Sequence, residues 1–320
     1  MNSNKKYTNS NNNTTDNNNE TLVLYIDENL NDNIIEIITE SLKTNTTITT
    51  IKILNICFQL QEDKYDYDNN MNYQPEIRET LSVKYKELKQ LYQKYINSLF
   101  DAISHNDNIT SIDISNVLHS SIKYDIKFDN YEEIIPKIID LIKNNHIKKL
   151  NLSNNNLTEI KDIFNVLDTN TSLEEINLSH NKIKEIDYIF NTLQINKSIK
   201  KIDLSYNLII SIKDLDKIID NNRTLEEINL SANKIADTIP KNDIFYVSAS
   251  NGDILHSYFN LIQYNHDNDI IDKIDKSIEK NPVIRIIDLS FNDIYNTNIS
   301  RINEKKILVY GTPGLMNNYL

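Results

Sequence analysis

Seryl hydroxyls recur along the chain at Ser153, Ser179, Ser205, Ser231 and Ser290. A hydroxyl becomes a nucleophile only when a positioned base takes its proton. No histidine or acid stands at a spacing that would supply that base to these serines. Other chemistry-bearing residues fare no better. Cys57 lies in the apolar run Ile53-Leu54-Asn55-Ile56-Cys57-Phe58, the setting of a buried, inert thiol. Asp66-x-Asp68-x-Asn70 has the opening of a calcium loop, but Met71 replaces the glycine at the sixth place and Ile77 the glutamate at the twelfth. Gly311-Thr-Pro-Gly314 lacks the Lys-Ser/Thr of a phosphate cradle and reads as a turn. The expectation is a chain with no catalytic residues, no metal ligands and no cofactor, and not an enzyme.

The serines instead mark a repeat. Ile147-Lys-Lys-Leu-Asn-Leu-Ser-Asn-Asn155, Leu173-Glu-Glu-Ile-Asn-Leu-Ser-His-Asn181, Ile199-Lys-Lys-Ile-Asp-Leu-Ser-Tyr-Asn207, Leu225-Glu-Glu-Ile-Asn-Leu-Ser-Ala-Asn233 and Ile284-Arg-Ile-Ile-Asp-Leu-Ser-Phe-Asn292 align without gaps, and the first four start 26 residues apart. Weaker copies start at Thr21 (with Leu24, Ile26 and Asn29), at Ile48 (with Ile51 and Ile53) and at Ile109 (with Ile112 and Ile114). A second register tests the alignment. Three residues before each start after the first stand Asn45, Asn106, Asn144, Asn170, Asn196, Asn222 and Asn281. Six residues before stand Leu42, Ile103, Leu141, Leu167, Leu193, Ile219 and Ile278. Each unit therefore reads as a short strand, a turn and a helix whose last inward residue is the Leu or Ile. An Asn that tolerates the left-handed conformation is expected to end that helix. Residues such as Ile160, Ile163, Phe164 and Leu167 supply the helix's apolar stripe.

The pattern LxxLxLSxN, with Ile for some Leu, resembles the leucine-rich-repeat family, in the length and helical second half of its ribonuclease-inhibitor-like branch. The resemblance covers about residues 21–295. It implies an α/β solenoid, a horseshoe with parallel strands on the concave face and helices on the convex face, and a binding role on a fold that hosts many functions. The expected organisation is a disordered Asn-rich tail over 1–20 and one repeat domain over 21–320. That domain has about eight repeats, insertions near 60–95 and 236–268, and a cap over 300–320.

Within each nine-residue segment, positions four and six point inward and three, five and seven outward, with eight at the sheet's edge. Position nine, Asn155, Asn181, Asn207, Asn233 and Asn292, is expected to form a ladder satisfying backbone groups in the turn after the strand. Positions two and three alternate in sign: Lys148-Lys149, Glu174-Glu175, Lys200-Lys201 and Glu226-Glu227. Lateral neutralisation between neighbouring strands follows, rather than a charged docking face. Position eight varies among Asn154, His180, Tyr206, Ala232 and Phe291, and exposed aromatics suit a binding hot spot. The candidate partner-binding residues are Asn154, His180, Tyr206 and Phe291, with Tyr65, Tyr67, Phe245, Tyr246 and Tyr258 in the two insertions. A helix is expected from about Pro75 to His105, with the stripe Leu81, Tyr85, Leu88, Tyr92, Tyr95, Leu99 and Ile103 packing on the solenoid's flank. Ile307-Leu-Val-Tyr310 reads as a last strand closing the sheet's open edge.

Composition bounds the partners. The 34 basic and 46 acidic residues give a net charge of −12, which disfavours a phosphate backbone and speaks for a solvated surface. No apolar run approaches the roughly 18–20 residues of a membrane span, and the first twenty residues lack a signal peptide's apolar core. One cysteine fits a reducing compartment, hence a cytoplasmic protein, in a host's cytoplasm if viral; the oligomeric state is left open, with a monomer favoured. Three glycines, no Trp and abundant Asn, Ile, Lys and Tyr match an AT-rich genome, such as that of an amoeboid protist or a giant DNA virus. The function expected is a non-catalytic scaffold binding an unknown protein partner, with no nucleic acid and no membrane. The alternatives are a structural, self-associating component or a regulator of an enzyme such as a GTPase activator. A ubiquitin-ligase adaptor is not expected, because the repeats begin near residue 21.

Overall fold

A strand three residues long buries little by itself, so each unit of this chain depends on stacking. The computed structural model describes residues 14–15, 20–25, 30–54, 75–117, 119–121, 127–129, 131–144, 146–235, 269–292 and 307–308. The chain divides into two compact units, Met1–Asn181 and Lys182–Leu320.

The first unit runs β1 (Thr14–Thr15), β2 (Thr21–Tyr25), α1 (Asp32–Thr44), β3 (Thr50–Leu54), α2 (Pro75–Ser104), β4 (Ser111–Asp113), β5 (His119–Ser121), β6 (Lys127–Asp129), α3 (Tyr131–Lys143), β7 (Lys149–Asn151), α4 (Lys161–Leu167) and β8 (Glu175–Asn177). Strands β2, β3, β4, β7 and β8 pair in that order, all parallel. The second unit runs α5 (Asp187–Ile195), β9 (Lys201–Asp203), α6 (Leu215–Asn221), β10 (Glu227–Asn229), α7 (Asp269–Lys280), β11 (Ile286–Asp288) and β12 (Ile307–Leu308). There β9, β10, β11 and β12 form a parallel array.

Partners across the ladders are like residues of the repeat. Ile112 faces Leu150 and Leu150 faces Ile176, while Ile202 faces Ile228 and Ile228 faces Ile287. These position-four side chains, and the position-six side chains Ile114, Leu152, Leu178, Leu204, Leu230 and Leu289, are buried. Behind them the helices bury Ile163, Phe164 and Leu167 in α4, and Leu215, Ile218 and Ile219 in α6. A core of branched aliphatics behind a parallel sheet is what a strand–turn–helix repeat must build to cover each unit's apolar side.

Several sequence expectations need correction. The weak first copy, aligned from Thr21 with Leu24 at position four, is two residues out: Leu22 pairs with Ile51 and Leu24 with Ile53, so Leu22 holds position four and Leu24 position six. A slip of two keeps every side chain on its face, so alternation alone cannot detect it. The second register cannot fix it: Asn18 stands three residues before Thr21, but within a run of asparagines and with no apolar residue six before.

The helix-ending asparagines are not left-handed either. Asn45, Asn196 and Asn222 have φ of −73°, −64° and −83° with ψ near 130°, an extended backbone. They end the helix with the side chain. Oδ1 of Asn222 accepts from the N–H of Thr224 at 2.6 Å and of Leu225 at 2.7 Å, and its Nδ2 donates to the carbonyl of Leu193 at 2.6 Å, at the end of the preceding helix. Asn170 bonds likewise to Ser172, Leu173 and Ile142, and Asn281 to Val283, Ile284 and Ile219. Asn144 departs from the row, since its side chain is exposed.

Three strands went unforeseen. Thr14–Thr15, inside the expected tail, pairs antiparallel with β2, and β5 and β6 form an antiparallel pair within the repeat that starts at Ile109. Helix α2 begins and ends within a residue of expectation, and Tyr95, Leu99 and Ile103 are buried. The side chains of Leu81, Tyr85, Leu88 and Tyr92 lie outside the described residues, as does Cys57. Lys94 of α2 pairs with Asp32 of α1 at 2.6 Å, and the Tyr95 hydroxyl donates to the Leu30 carbonyl at 3.3 Å.

Candidate functional site

Three side-chain rows follow the strands, and their hydrogen bonds separate scaffold from surface. Position five is Asp113, Asn151, Asn177, Asp203, Asn229 and Asp288. In every case Oδ1 accepts the N–H of the position-seven serine, between 2.9 and 3.0 Å. Only an acceptor is required, so Asn and Asp interchange. The residue was expected to be a plain outward side chain; its first task is to fold the chain into the turn. The serines at position seven are then drawn in. Ser179, Ser205, Ser231 and Ser290 are buried, and the Ser205 and Ser231 hydroxyls donate to the same Asp203 and Asn229 oxygens.

Position nine needs both a donor and an acceptor. Nδ2 of Asn181 donates to the carbonyls of Leu152, Leu178 and Ser179, while its Oδ1 accepts from the N–H groups of Asn155 and Leu157 in the preceding repeat. Asn233 does the same with Leu204, Leu230, Ser231 and Ile209, and Asn292 with Leu230, Leu289, Ser290 and Ile235. Asn155 reaches Ile114, Leu152 and Val117, and Asn207 reaches Leu204, Ser205 and Ile183. All five are buried. Aspartate cannot donate, which explains why position nine never alternates as position five does.

Between these rows stands position eight, where the backbone turns left-handed. Asn116, Asn154, His180, Tyr206, Ala232 and Phe291 have φ between 53° and 59°. Their amides continue the stacking: Asn154 N–H donates to the Ser179 carbonyl at 2.9 Å, Tyr206 to Ser231 at 2.9 Å and Ala232 to Ser290 at 2.8 Å. A side chain with a Cβ is disfavoured there by about 1–2 kcal/mol, and Asn is the cheapest residue that has one. The sequence reading missed this conformation; the signal was the Asn at two of the six sites. The side chains of Asn154, His180, Tyr206 and Phe291 are exposed, Tyr206 by 46% and Phe291 by 50%. Tyr65, Tyr67, Phe245, Tyr246 and Tyr258 lie outside the described residues. The aliphatic Ile286 at position three of its repeat, a position read as outward but not singled out as a contact candidate, is 37% exposed.

Charges at the strand starts pair laterally. Lys149 meets Glu175 at 3.1 Å and Lys201 meets Glu227 at 3.2 Å, while Arg285 engages Glu226 and, at 3.4 Å, Glu227. Exposed pairs of this kind contribute about 0–1 kcal/mol each, so they trim the sheet rather than hold it. Among the described residues no three His, Cys, Asp or Glu side chains gather as a metal site, and no described helix is long and apolar enough to cross a membrane.

Family models described as leucine-rich repeats match residues 146–167, 169–184 and 221–239. Among solved structures, an internalin (inlF) of Listeria monocytogenes is similar over 92% of this chain and 67% of its own, at 12% identity and a TM-score of 0.42. Internalin C2 of the same organism is similar over 68% of this chain and 83% of its own, at 12% identity and a TM-score of 0.35. The actin-binding site 2 of leiomodin-1 covers 41% of this chain and 76% of its own, at 18% identity and a TM-score of 0.35. No curated protein matches the chain by sequence.

Proposed function

We propose that this chain, which is a leucine-rich-repeat protein, is a non-catalytic interaction scaffold that recognises a partner protein through its position-eight row. Proteins of this family commonly mediate protein–protein interaction. One observation carries the reading here. The fold forces φ positive in each of these turns, and Asn116 and Asn154 show the residue that suits it, yet the chain sets exposed His180, Tyr206 and Phe291 there. Bulky rings at a disfavoured backbone position, half in solvent, oppose local stability. Residues that break a local rule at the surface are where function is sought. Exposed aromatics on rigid turns also lose little conformational freedom on binding.

In this reading residues 21–320 form one repeat domain, monomeric and cytoplasmic, and the insertions near 60–95 and 236–268 add partner contacts. No described residue specifically favours the self-associating or enzyme-regulating alternatives. The test is affinity capture from the native source with the full chain as bait. The expected result is a specific, saturable protein partner that cross-links at the position-eight turns. Recovery of no specific protein, or cross-links confined to the helices, would overturn the proposal.

A further inference from the structure

Acid at position five and an aromatic at position eight coincide in two of the described repeats. Asp203 accompanies Tyr206, and Asp288 accompanies Phe291. The repeat between them carries Asn229 and Ala232, neutral and small. In the repeats with Asn at position five, position eight is Asn154, His180 or Ala232, and Asp113 stands with Asn116. The second unit therefore presents two acid–aromatic walls around a low neutral floor. Strands β9, β10 and β11 pair in parallel with like positions opposed, so the walls stand about 10 Å apart, two strand spacings.

Charge and shape indicate one kind of occupant. Lys201 and Arg285, the cations nearest on the strands, are engaged by Glu226 and Glu227. Among the described residues no ion pair neutralises Asp203 or Asp288. Their Oδ1 atoms hold the serine amides of Ser205 and Ser290, at 2.9 Å each, and leave the second carboxylate oxygen for another donor. The rings of Tyr206 and Phe291, three residues along the chain and so within about 10 Å, offer faces to a cation. Ile286, exposed on the same strand face as Asp288, offers apolar cover for an aliphatic stem. A guanidinium uses all three features: it forks onto a carboxylate, stacks on a ring and trails a hydrocarbon stem.

We propose that the second unit's sheet edge is a receptor for a partner segment bearing two arginines spaced Arg-x-x-Arg, one guanidinium at Asp203–Tyr206 and the other at Asp288–Phe291. An extended polyproline-type chain advances about 3.1 Å per residue with three residues per turn. Residues three apart then share a face about 9 Å apart, which matches the separation of the walls. The inference deepens the scaffold reading and rests on it.

The test is fluorescence anisotropy of the full chain with a labelled Gly-Arg-Pro-Pro-Arg-Gly peptide, against a citrulline version and an Arg-Arg-Pro-Pro version. Asp203→Asn/Asp288→Asn serves as the charge variant, since Asn already fills this position in other repeats and keeps the turn. Tyr206→Asn/Phe291→Asn serves as the ring variant. Asp107→Asn/Asp162→Asn makes the same charge change elsewhere. The expected result is salt-dependent binding that weakens at least tenfold with citrulline, with the altered spacing, and in the charge and ring variants, and less than twofold in the control pair. No binding of the Arg-Pro-Pro-Arg peptide, equal loss in the control pair, or indifference to spacing would overturn the receptor. A protein captured from the native source that binds the charge variant as well as wild type but loses affinity for the ring variant would overturn the receptor and leave the scaffold reading standing.

Discussion

Exchanging one atom tests the difference between the two asparagine rows of a single turn. In Asn181→Asp the side chain keeps Oδ1 for the N–H groups of Asn155 and Leu157, at 2.9 and 3.0 Å. The amide donor that served the carbonyls of Leu152, Leu178 and Ser179, at 3.1, 2.9 and 3.2 Å, becomes a second acceptor aimed at three oxygens. Two of those oxygens retain other donors, Asn155 Nδ2 for Leu152 and the Asn154 N–H for Ser179. The hydrogen-bond loss is then at most that of one carbonyl, Leu178, at about 1–3 kcal/mol. The residue is only 7% exposed, so its carboxylate meets a desolvation cost as well or takes up a proton. The total is about 3–5 kcal/mol. Asn177→Asp, four residues earlier, loses no bond, because Ser179 N–H needs only Oδ1, at 2.9 Å. Its cost is under about 0.5 kcal/mol. Urea unfolding of both variants, followed by far-UV circular dichroism, measures the difference as a midpoint shift. Equal midpoints for the two variants would refute the donor-and-acceptor account of position nine.

Three further outcomes follow from the same geometry. Asn222→Ala leaves the amides of Thr224 and Leu225 and the Leu193 carbonyl without their side-chain partner, so urea unfolding should show a loss of about 2–3 kcal/mol. A double-mutant cycle removing Lys149 and Glu175 should return a coupling of about 0.2–1 kcal/mol that fades in molar salt. The hydrogen bond from Lys94 holds the Asp32 carboxyl below the usual carboxylate range. A depressed folded value means stability present above the unfolded value and lost as pH falls through the folded one. Asp32→Asn should therefore lower the urea midpoint at pH 7, by a difference that shrinks as pH falls below the usual carboxylate range; a difference undiminished in acid would contradict the linkage.

Much of the scaffold was legible in the sequence because its determinants are local and repeated. Ile176 and Leu178 alternate with polar neighbours, and the Asn register before each start marks where helix gives way to strand. The physical role of that Asn was harder to read, because an Asn can end a helix through a left-handed backbone or through its side chain. Sequence spacing is the same for both. The register of β2 escaped because a two-residue slip preserves the inward face. The β5–β6 pair escaped because three-residue strands carry no periodicity. At the candidate site the varied residues of position eight stood out, but the left-handed turn that gives His180, Tyr206 and Phe291 their meaning did not. Nor did the tie between Asp203 and Ser205, which depends on the strand ending where it does.

The most direct measurement is the affinity of the captured partner for the triple variant His180→Asn, Tyr206→Asn and Phe291→Asn. Asn already occupies the same left-handed turn at 116 and 154, so the variant should unfold within about 1 kcal/mol of wild type per site. The account predicts that this folded variant binds its partner at least a hundredfold more weakly. A partner held with unchanged affinity by the variant would contradict the claim that the position-eight row is the recognition surface.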